Sequence, residues 1–350
     1  MGAIVIAGGG TGGHLMPGLA VARALRARTG DDIVFVGTAR GLEARLVPAA
    51  GFELRLIRIG GLKSGSLMRR AATMARLPQA LVQSARILRQ RHAGVVLGLG
   101  GYASGPVLAA AALLRVPIVI VEVNAKTGLA NRLAAPWVRA AAVNFRETAA
   151  DFPRAQVELT GIPVRPEFFV RRAPEEPPLV LVFGGSQGAH RLNQIVAAMA
   201  PQVQFRILHQ TGERDYQAIA AAYAALGERV RAVRFIDDMA AEMGAASVVV
   251  CRSGASTLGE IAAAGKAAVL VPLPNSTDQH QLRNAEAYAR AGTTVLLEQS
   301  QLTAAELAET LRGLLADGAR RAALETGVAQ FAHPGAAEAI ARLVTACRRP

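Results

Sequence analysis

Ile4-Val-Ile-Ala-Gly-Gly-Gly-Thr-Gly-Gly-His14 decides the fold, and Val248-Val-Val-Cys-Arg-Ser-Gly-Ala-Ser-Thr-Leu-Gly-Glu260 repeats its logic in the other half of the chain. Each runs from a short apolar strand, through glycines and small hydroxyl residues, into a helical pattern. A turn of this kind leaves backbone N–H groups at a helix start, where they and the helix dipole hold a phosphate. One such loop decides little. Two, set in unlike motifs in the two halves, predict a diphosphate ligand lying between two domains.

Two further loops follow strands in the same way, Leu97-Gly-Leu-Gly-Gly-Tyr-Ala-Ser-Gly105 and Gly184-Gly-Ser-Gln-Gly188. Strand-like runs at Ile33–Val36, Val95–Leu97, Ile118–Val121, Leu179–Phe183, Val248–Val250 and Ala268–Val271 alternate with Ala, Leu and Arg-rich helical segments. Alternation predicts an α/β fold of parallel sheets covered by helices, and 350 residues suit two such domains. The Pro- and charge-rich stretch from Gly161 to Pro178 reads as the linker. The expected division is a first domain over 1–162 and a second over 163–335. The amphipathic tail 336–350 is expected to pack back on the first.

Charge is unevenly placed. The net charge is +13, of which residues 1–160, with 20 Lys and Arg against 8 Asp and Glu, carry +12. Between Glu53 and Glu122 there is no acidic residue but there are ten basic ones. Within that stretch Ser66–Arg91 interleaves apolar and Arg residues. Leu67, Met68, Met74, Leu77 and Leu81 with Arg69, Arg70 and Arg76 form the expected membrane-facing side, and Pro78 is expected to break the helix in two. Aromatic residues are scarce and no nucleic-acid motif occurs, so an anionic membrane surface is the expected partner and nucleic acid is not.

Other classes are excluded by what the sequence lacks. Cys251 and Cys347 make no disulfide framework. Met1 leads straight into a strand, with no signal peptide pattern, and Val107–Leu114 is too short to span a bilayer. The expected location is therefore cytoplasmic. Gly8, Gly10 and Gly13 satisfy the dinucleotide-binding spacing, but the second strand ends Val36-Gly37-Thr38, without the acid that would hold a ribose. No Walker A lysine follows any of the loops.

Taken in order and spacing, these motifs resemble those of the MurG family: Gly9-Gly-Gly-Thr-Gly-Gly-His14, Gly100-Gly-Tyr-Ala-Ser-Gly105, Gly161-Ile-Pro-Val-Arg165, Gly184-Gly-Ser-Gln-Gly188, Phe235-Ile-Asp-Asp-Met239, Arg252–Glu260 and Asp278-Gln-His-Gln281. The resemblance runs from about residue 3 to 345. It implies a GT-B fold, two Rossmann-like domains facing across a cleft. It also implies inverting transfer of N-acetylglucosamine from UDP-N-acetylglucosamine to the 4-hydroxyl of undecaprenyl-linked muramyl pentapeptide, at the cytoplasmic face of the inner membrane. The family often has His-Glu-Gln-Asn where this chain has Val121-Glu-Val-Asn124, and Gln-Gln in place of His280-Gln281.

From the resemblance, UDP-N-acetylglucosamine is expected to meet Thr11, Gly12, Gly13 and Asn124 from the first domain. From the second it is expected to meet Arg165, Ser186, Ile236, Ala255, Ser256, Thr257, Leu258, Gly259, Glu260, Gln281 and Asn284. Glu260 would accept the ribose hydroxyls, although Thr257-Leu-Gly-Glu260 also reads as a helix capping box. Arg252 or Arg165 with the helix dipoles would neutralise the departing diphosphate. No Asp-x-Asp motif occurs, so no metal and no cofactor is invoked. His14 is the candidate general base and Glu122 the runner-up. A nucleotide-sugar epimerase of the same fold is the alternative reading, and a non-enzymatic nucleotide-binding module a third.

Overall fold

A computed structural model of the chain describes every residue except Met1, Gly10, Thr11, Arg40, 61–66, Ser186, Gln187 and Pro350; the side chains of 67–73 and Thr277 are also outside the description. The chain forms two compact units, one of Met1–Val164 with His333–Pro350 and the other of Arg165–Ala332.

The first unit is built on seven parallel strands: β1 (Ile4–Gly8), β2 (Ile33–Gly37), β3 (Glu53–Leu56), β4 (Val95–Gly100), β5 (Ile118–Glu122), β6 (Val138–Val143) and β7 (Gln156–Leu159). Their order across the sheet is 3-2-1-4-5-6-7. Every residue of β1, β2, β4 and β5 is buried, as expected of strands covered on both faces. The helices are α1 (Gly12–Thr29), α2 (Glu43–Ala49), α3 (Leu67–Gln90), α4 (Ser104–Leu113) and α5 (Leu129–Ala134). Strand order reverses between β1 and β4. In an open α/β sheet, ligands bind beyond the strand ends at such a point, and the first two glycine loops follow these two strands.

The second unit repeats the plan with six strands: β8 (Leu179–Phe183), β9 (Arg206–Gln210), β10 (Val230–Val233), β11 (Val248–Cys251), β12 (Ala268–Leu270) and β13 (Val295–Leu296). Their order is 10-9-8-11-12-13, so the reversal falls between β8 and β11, again where the glycine loops leave. Around them lie α6 (His190–Met199), α7 (Tyr216–Tyr223), α8 (Met239–Ala245), α9 (Ala255–Ala264), α10 (His280–Arg290), α11 (Ala304–Ala316) and α12 (Gly318–Ala329). Val180, Val182, Val248 and Val250 meet Leu192, Val196, Leu307 and Leu311 in its core. The last helix, α13 (Ala336–Cys347), belongs to the first unit and packs on α1, β5 and β6. Its buried Ile340, Leu343, Val344 and Cys347 recur at helical spacing.

The chain passes from one unit to the other within the stretch that reads as the linker, and one expectation, the break at Pro78, is corrected. The units divide between Val164 and Arg165, and Pro166–Phe169 is a short 3₁₀ helix whose buried Phe168 belongs to the second unit. Arg171 donates to the Ala264 carbonyl at 3.1 Å and Lys266 to that of Arg172 at 3.3 Å, so hydrogen bonds strap this stretch down. Pro78 does not break α3, which runs unbroken to Gln90. Proline removes the bond to the Met74 carbonyl, but Met74 and Ala75 are exposed, so water satisfies that group. Helix α3 also turns Leu81, Ala85, Ile87 and Leu88 toward the core of the first unit, so Leu81 is half-buried and not part of an open apolar face.

Candidate active site

In the first unit three loops meet beyond the sheet. Gly100 and Gly101 adopt φ of +88° and +80°, open to glycine at little cost. A Cβ on Gly101 would lie 2.5 Å from the Gly9 carbonyl oxygen, so the loops after β1 and β4 touch backbone to backbone. His14, in the first turn of α1 after Gly12 and Gly13, lies beside this contact. A Cβ on Gly100 would lie 3.2 Å from its Cε1 and 3.5 Å from Asn131 Nδ2.

Glu122, at the end of β5, is buried and encircled by donors. It accepts from the N–H groups of Gly128 and Asn124 at 2.9 and 3.1 Å, and from the amides of Asn131 and Asn124 at 3.0 and 3.2 Å. Burial pushes its carboxyl up and these four donors oppose the shift. With four donors on two oxygens, the group clasps the loop that follows β5. The amide of Asn124 is turned inward by the same clasp.

A second buried carboxyl was missed in the sequence. Glu43, at the start of α2, accepts from the N–H and Oγ–H of Thr38, each at 2.9 Å, and Thr38 Oγ1 lies 3.1 Å from Tyr102 Oη.

In the second unit, helix α9 starts at Ala255 with an extended Gly254 before it and no side-chain cap. Helices α8, α11 and α12 of the same unit are capped by Asp238, Thr303 and Asp317. The capping-box reading of Thr257 and Glu260 is therefore excluded, because the helix begins two residues before Thr257. Ala255, Ser256 and Thr257 form its first turn, Leu258 and Gly259 are buried, and Glu260 follows half-buried. Leu258 is fully buried, and its N–H donates to the Gly254 carbonyl at 3.0 Å. Burial raises the Glu260 carboxyl to about 7, against the opposing pull of the Arg165 guanidinium. Arg165 itself lies over the Phe168 ring, 5.0 Å from its centroid.

Arg252 is buried and donates to the carbonyls of Val271 and Pro272 at 2.8 and 3.1 Å and to Gln299 at 2.5 Å. Burial lowers its pKa to about 10, still cationic at neutral pH. It ties the loops after β11 and β12 together. Asn284, also buried, donates to the Ser253 carbonyl at 3.2 Å, and Ser253 Oγ donates to that of Gln281 at 2.7 Å. The Gln281 side-chain oxygen accepts from Leu273 N–H at 2.9 Å. Asp278 and Gln279, with φ of 54° and 55°, make a strained turn just before these residues. Ile236 is buried, and its N–H donates to Gln210 Oε1 at 2.9 Å. Gln210, the last residue of β9, gave no signal in the sequence. Of the expected site residues, Thr11 and Ser186 lie outside the described residues, as do the side chains of Leu67, Met68, Arg69 and Arg70.

Two strand-reversal points, each with glycine loops, define a nucleotide-sugar-type α/β enzyme, and the comparisons name the class. Residues 4–143 match the glycosyltransferase family 28 N-terminal domain and residues 179–340 its C-terminal domain. The chain belongs to glycosyltransferase family 28, and its fold is GT-B. It is 44% identical, over 99% of its length and 96% of the relative's, to the UDP-N-acetylglucosamine–N-acetylmuramyl-(pentapeptide) pyrophosphoryl-undecaprenol N-acetylglucosamine transferase of Solibacter usitatus. Among solved structures it is similar to MurG of Acinetobacter baumannii, with a TM-score of 0.84 and 29% identity over 99% of this chain and 100% of that one. A UDP-N-acetylglucosamine 2-epimerase from Neisseria meningitidis gives a TM-score of 0.69 over 98% of this chain and 99% of that one. At 12% identity, that likeness shows the fold alone.

Proposed function

We propose that this chain transfers N-acetylglucosamine from UDP-N-acetylglucosamine to the 4-hydroxyl of undecaprenyl-linked muramyl pentapeptide, with inversion, making the lipid-linked disaccharide precursor of peptidoglycan. The observation that carries the donor half is the uncapped start of α9 with Glu260 one turn further on. Backbone amides of Ala255–Thr257 suit the diphosphate, and the Glu260 carboxylate suits two ribose hydroxyls. Arg165 supplies a charge near Glu260, and the Ile236 carbonyl suits an N–H on the base edge. Gln281 and the loop held by Asn284 suit the sugar.

In the reaction, the muramyl oxygen forms its bond to the anomeric carbon as the bond to UDP breaks, and the electron pair leaves with the diphosphate. The hydroxyl proton goes to His14, which the geometry favours over the clasped Glu122. Amides and helix dipole stabilise the charge that develops on UDP. The test is transfer of radiolabel from UDP-N-acetylglucosamine to purified undecaprenyl-pyrophosphoryl-muramyl acceptor, with UDP-N-acetylgalactosamine as control. Label that stays on a free sugar nucleotide of altered configuration would instead favour the epimerase.

The chain further acts, in this reading, at the cytoplasmic face of the inner membrane as a peripheral protein. No described helix is long and apolar enough to cross a membrane. Leu113, Leu133 and Trp137 are 72%, 65% and 61% exposed, and each has an exposed Arg one or two residues away, at Arg115, Arg132 and Arg139. Their elements continue the basic α3, since α3 packs on α4 and α4 on α5. Flotation with liposomes tests this. Binding should rise with anionic lipid and fall with salt, losing roughly 1 kcal/mol for each of Arg69, Arg70 and Arg76 changed to Gln. Changing Leu113, Leu133 and Trp137 to Ser should weaken the salt-resistant part. Equal flotation of all three proteins would sink the idea.

A further inference from the structure

At Gly9 the glycine loop after β1 packs against a buried carboxyl group of the chain itself. Glu43 is completely buried. A Cβ added to Gly9, Gly37 or Gly41 would overlap its carboxyl group or the carbon beside it. Three stretches of backbone thus reach one carboxylate because each lacks a side chain. Gly9 follows β1, whereas Gly37 and Gly41 lie at the end of β2 and beyond it, and these strands are neighbours. Through Thr38 the same carboxyl reaches Tyr102, on the loop after β4, the neighbour on the other side of β1.

The contacts continue without a gap to His14. Gly9 touches Glu43 on one side and Gly101 on the other, and Gly100 lies against the His14 ring. We propose that Glu43 is a positioning residue for the transfer. It ties the loops after β1, β2 and β4 together in the register that His14 needs. This rests on the transferase reading and on His14 as its base. The chemistry is that of a buried acceptor: it is satisfied only where donors such as those of Thr38 reach it, so the loops packed around it are held in one arrangement.

The test compares Glu43→Ala and Glu43→Gln with the wild type in acceptor turnover, donor affinity by calorimetry, and melting. Misplacement of His14 should cost Glu43→Ala about 10²-fold in kcat, with UDP-N-acetylglucosamine affinity unchanged. Formate, as a small carboxylate able to enter the vacated seat, should restore part of that rate and leave the wild type unaffected. Glu43→Gln keeps the volume and one acceptor oxygen, so it should lose less and gain nothing from formate. Wild-type kcat in Glu43→Ala, a formate-insensitive Glu43→Ala, or donor affinity falling as far as turnover would each overturn the proposal. If Glu43→Ala does not fold, Glu43→Gln decides, a lowered kcat at unchanged donor affinity supporting the proposal and a wild-type kcat overturning it. A wild type that transfers no label would instead defeat the transferase reading itself.

Discussion

Beyond the strands of the first unit, the groups that hold the loops are acceptors: Glu43 and Glu122 take N–H bonds from Thr38, Asn124, Gly128 and Asn131. In the second unit they are mostly donors. Arg252 gives to Val271 and Pro272, Asn284 to Ser253 and Ser253 to Gln281, all at carbonyl oxygens; the side chains of Gln281, accepting from Leu273, and of Gln210, accepting from Ile236, are exceptions. The difference teaches that loops beyond matching sheets can be fixed in opposite ways, by a buried carboxylate that collects N–H groups or by side chains that give to carbonyls. Matching folds and matching glycines thus do not dictate the buried partner.

The sharpest way to break this contrast is His14→Ala. Turnover should fall about 10²–10⁴-fold with donor affinity intact; an equal collapse of UDP binding in calorimetry would place the donor on the first unit's loops. Next comes Arg252→Met, which strips the loops after β11 and β12 of their common donor. Bonds to a charged group contribute about 1.5–3 kcal/mol each, so a loss of roughly 3 kcal/mol in urea unfolding is expected, and a loss near zero would show that the carbonyls are satisfied some other way. Glu260→Ala should follow, with about 1.5–3 kcal/mol lost in donor affinity.

The smallest effect concerns pH. Burial holds Glu260 at about 7, above its ordinary range. A carboxyl raised in the folded state stabilises the fold fully below its unfolded pKa of about 4.5, and that contribution is lost as pH rises through 7. Ribose hydroxyls donate to the ionised form, so donor affinity should climb about tenfold between roughly pH 6 and 8. Glu260→Gln should flatten that rise. A wild type with flat affinity would remove Glu260 from the ribose.

Much of this molecule is legible in its sequence, because the signals are local. The apolar runs that open at Ile33, Val95, Ile118, Leu179, Val248 and Ala268 are the observed strands β2, β4, β5, β8, β11 and β12. Glycine loops follow strands because the chain must turn there without side chains. Long-range partners are what stayed hidden. Glu43 sits in Gly41-Leu-Glu43, which looks like an exposed helix start, and Gly9, Gly37 and Thr38 close around it only in the fold. Gln210 ends an ordinary strand and finds Ile236 26 residues later. Arg252 stands beside a glycine loop in the sequence, and only the fold shows that carbonyls brought within reach satisfy its guanidinium. Pro78 misled for a related reason: a proline rule written for helix interiors does not hold where water can replace the lost donor.

The position of α13 bears on how the chain is made. The second unit, Arg165–Ala332, is inserted into the sequence of the first, whose final piece is His333–Pro350. Gly161, with φ of +75°, leaves room for the ring of His333 where the chain departs and where it returns. Arg348 then pairs with Asp31 and donates to the Gly2 carbonyl, so the last residues fasten onto the first. Domains usually fold in the order in which the ribosome delivers them. Here the inserted unit has all its residues first, and the unit begun first is finished last. Until α13 is made, the side of α1 that it covers stays open, so an apolar face made before the inserted unit finds its partner only after that unit is complete.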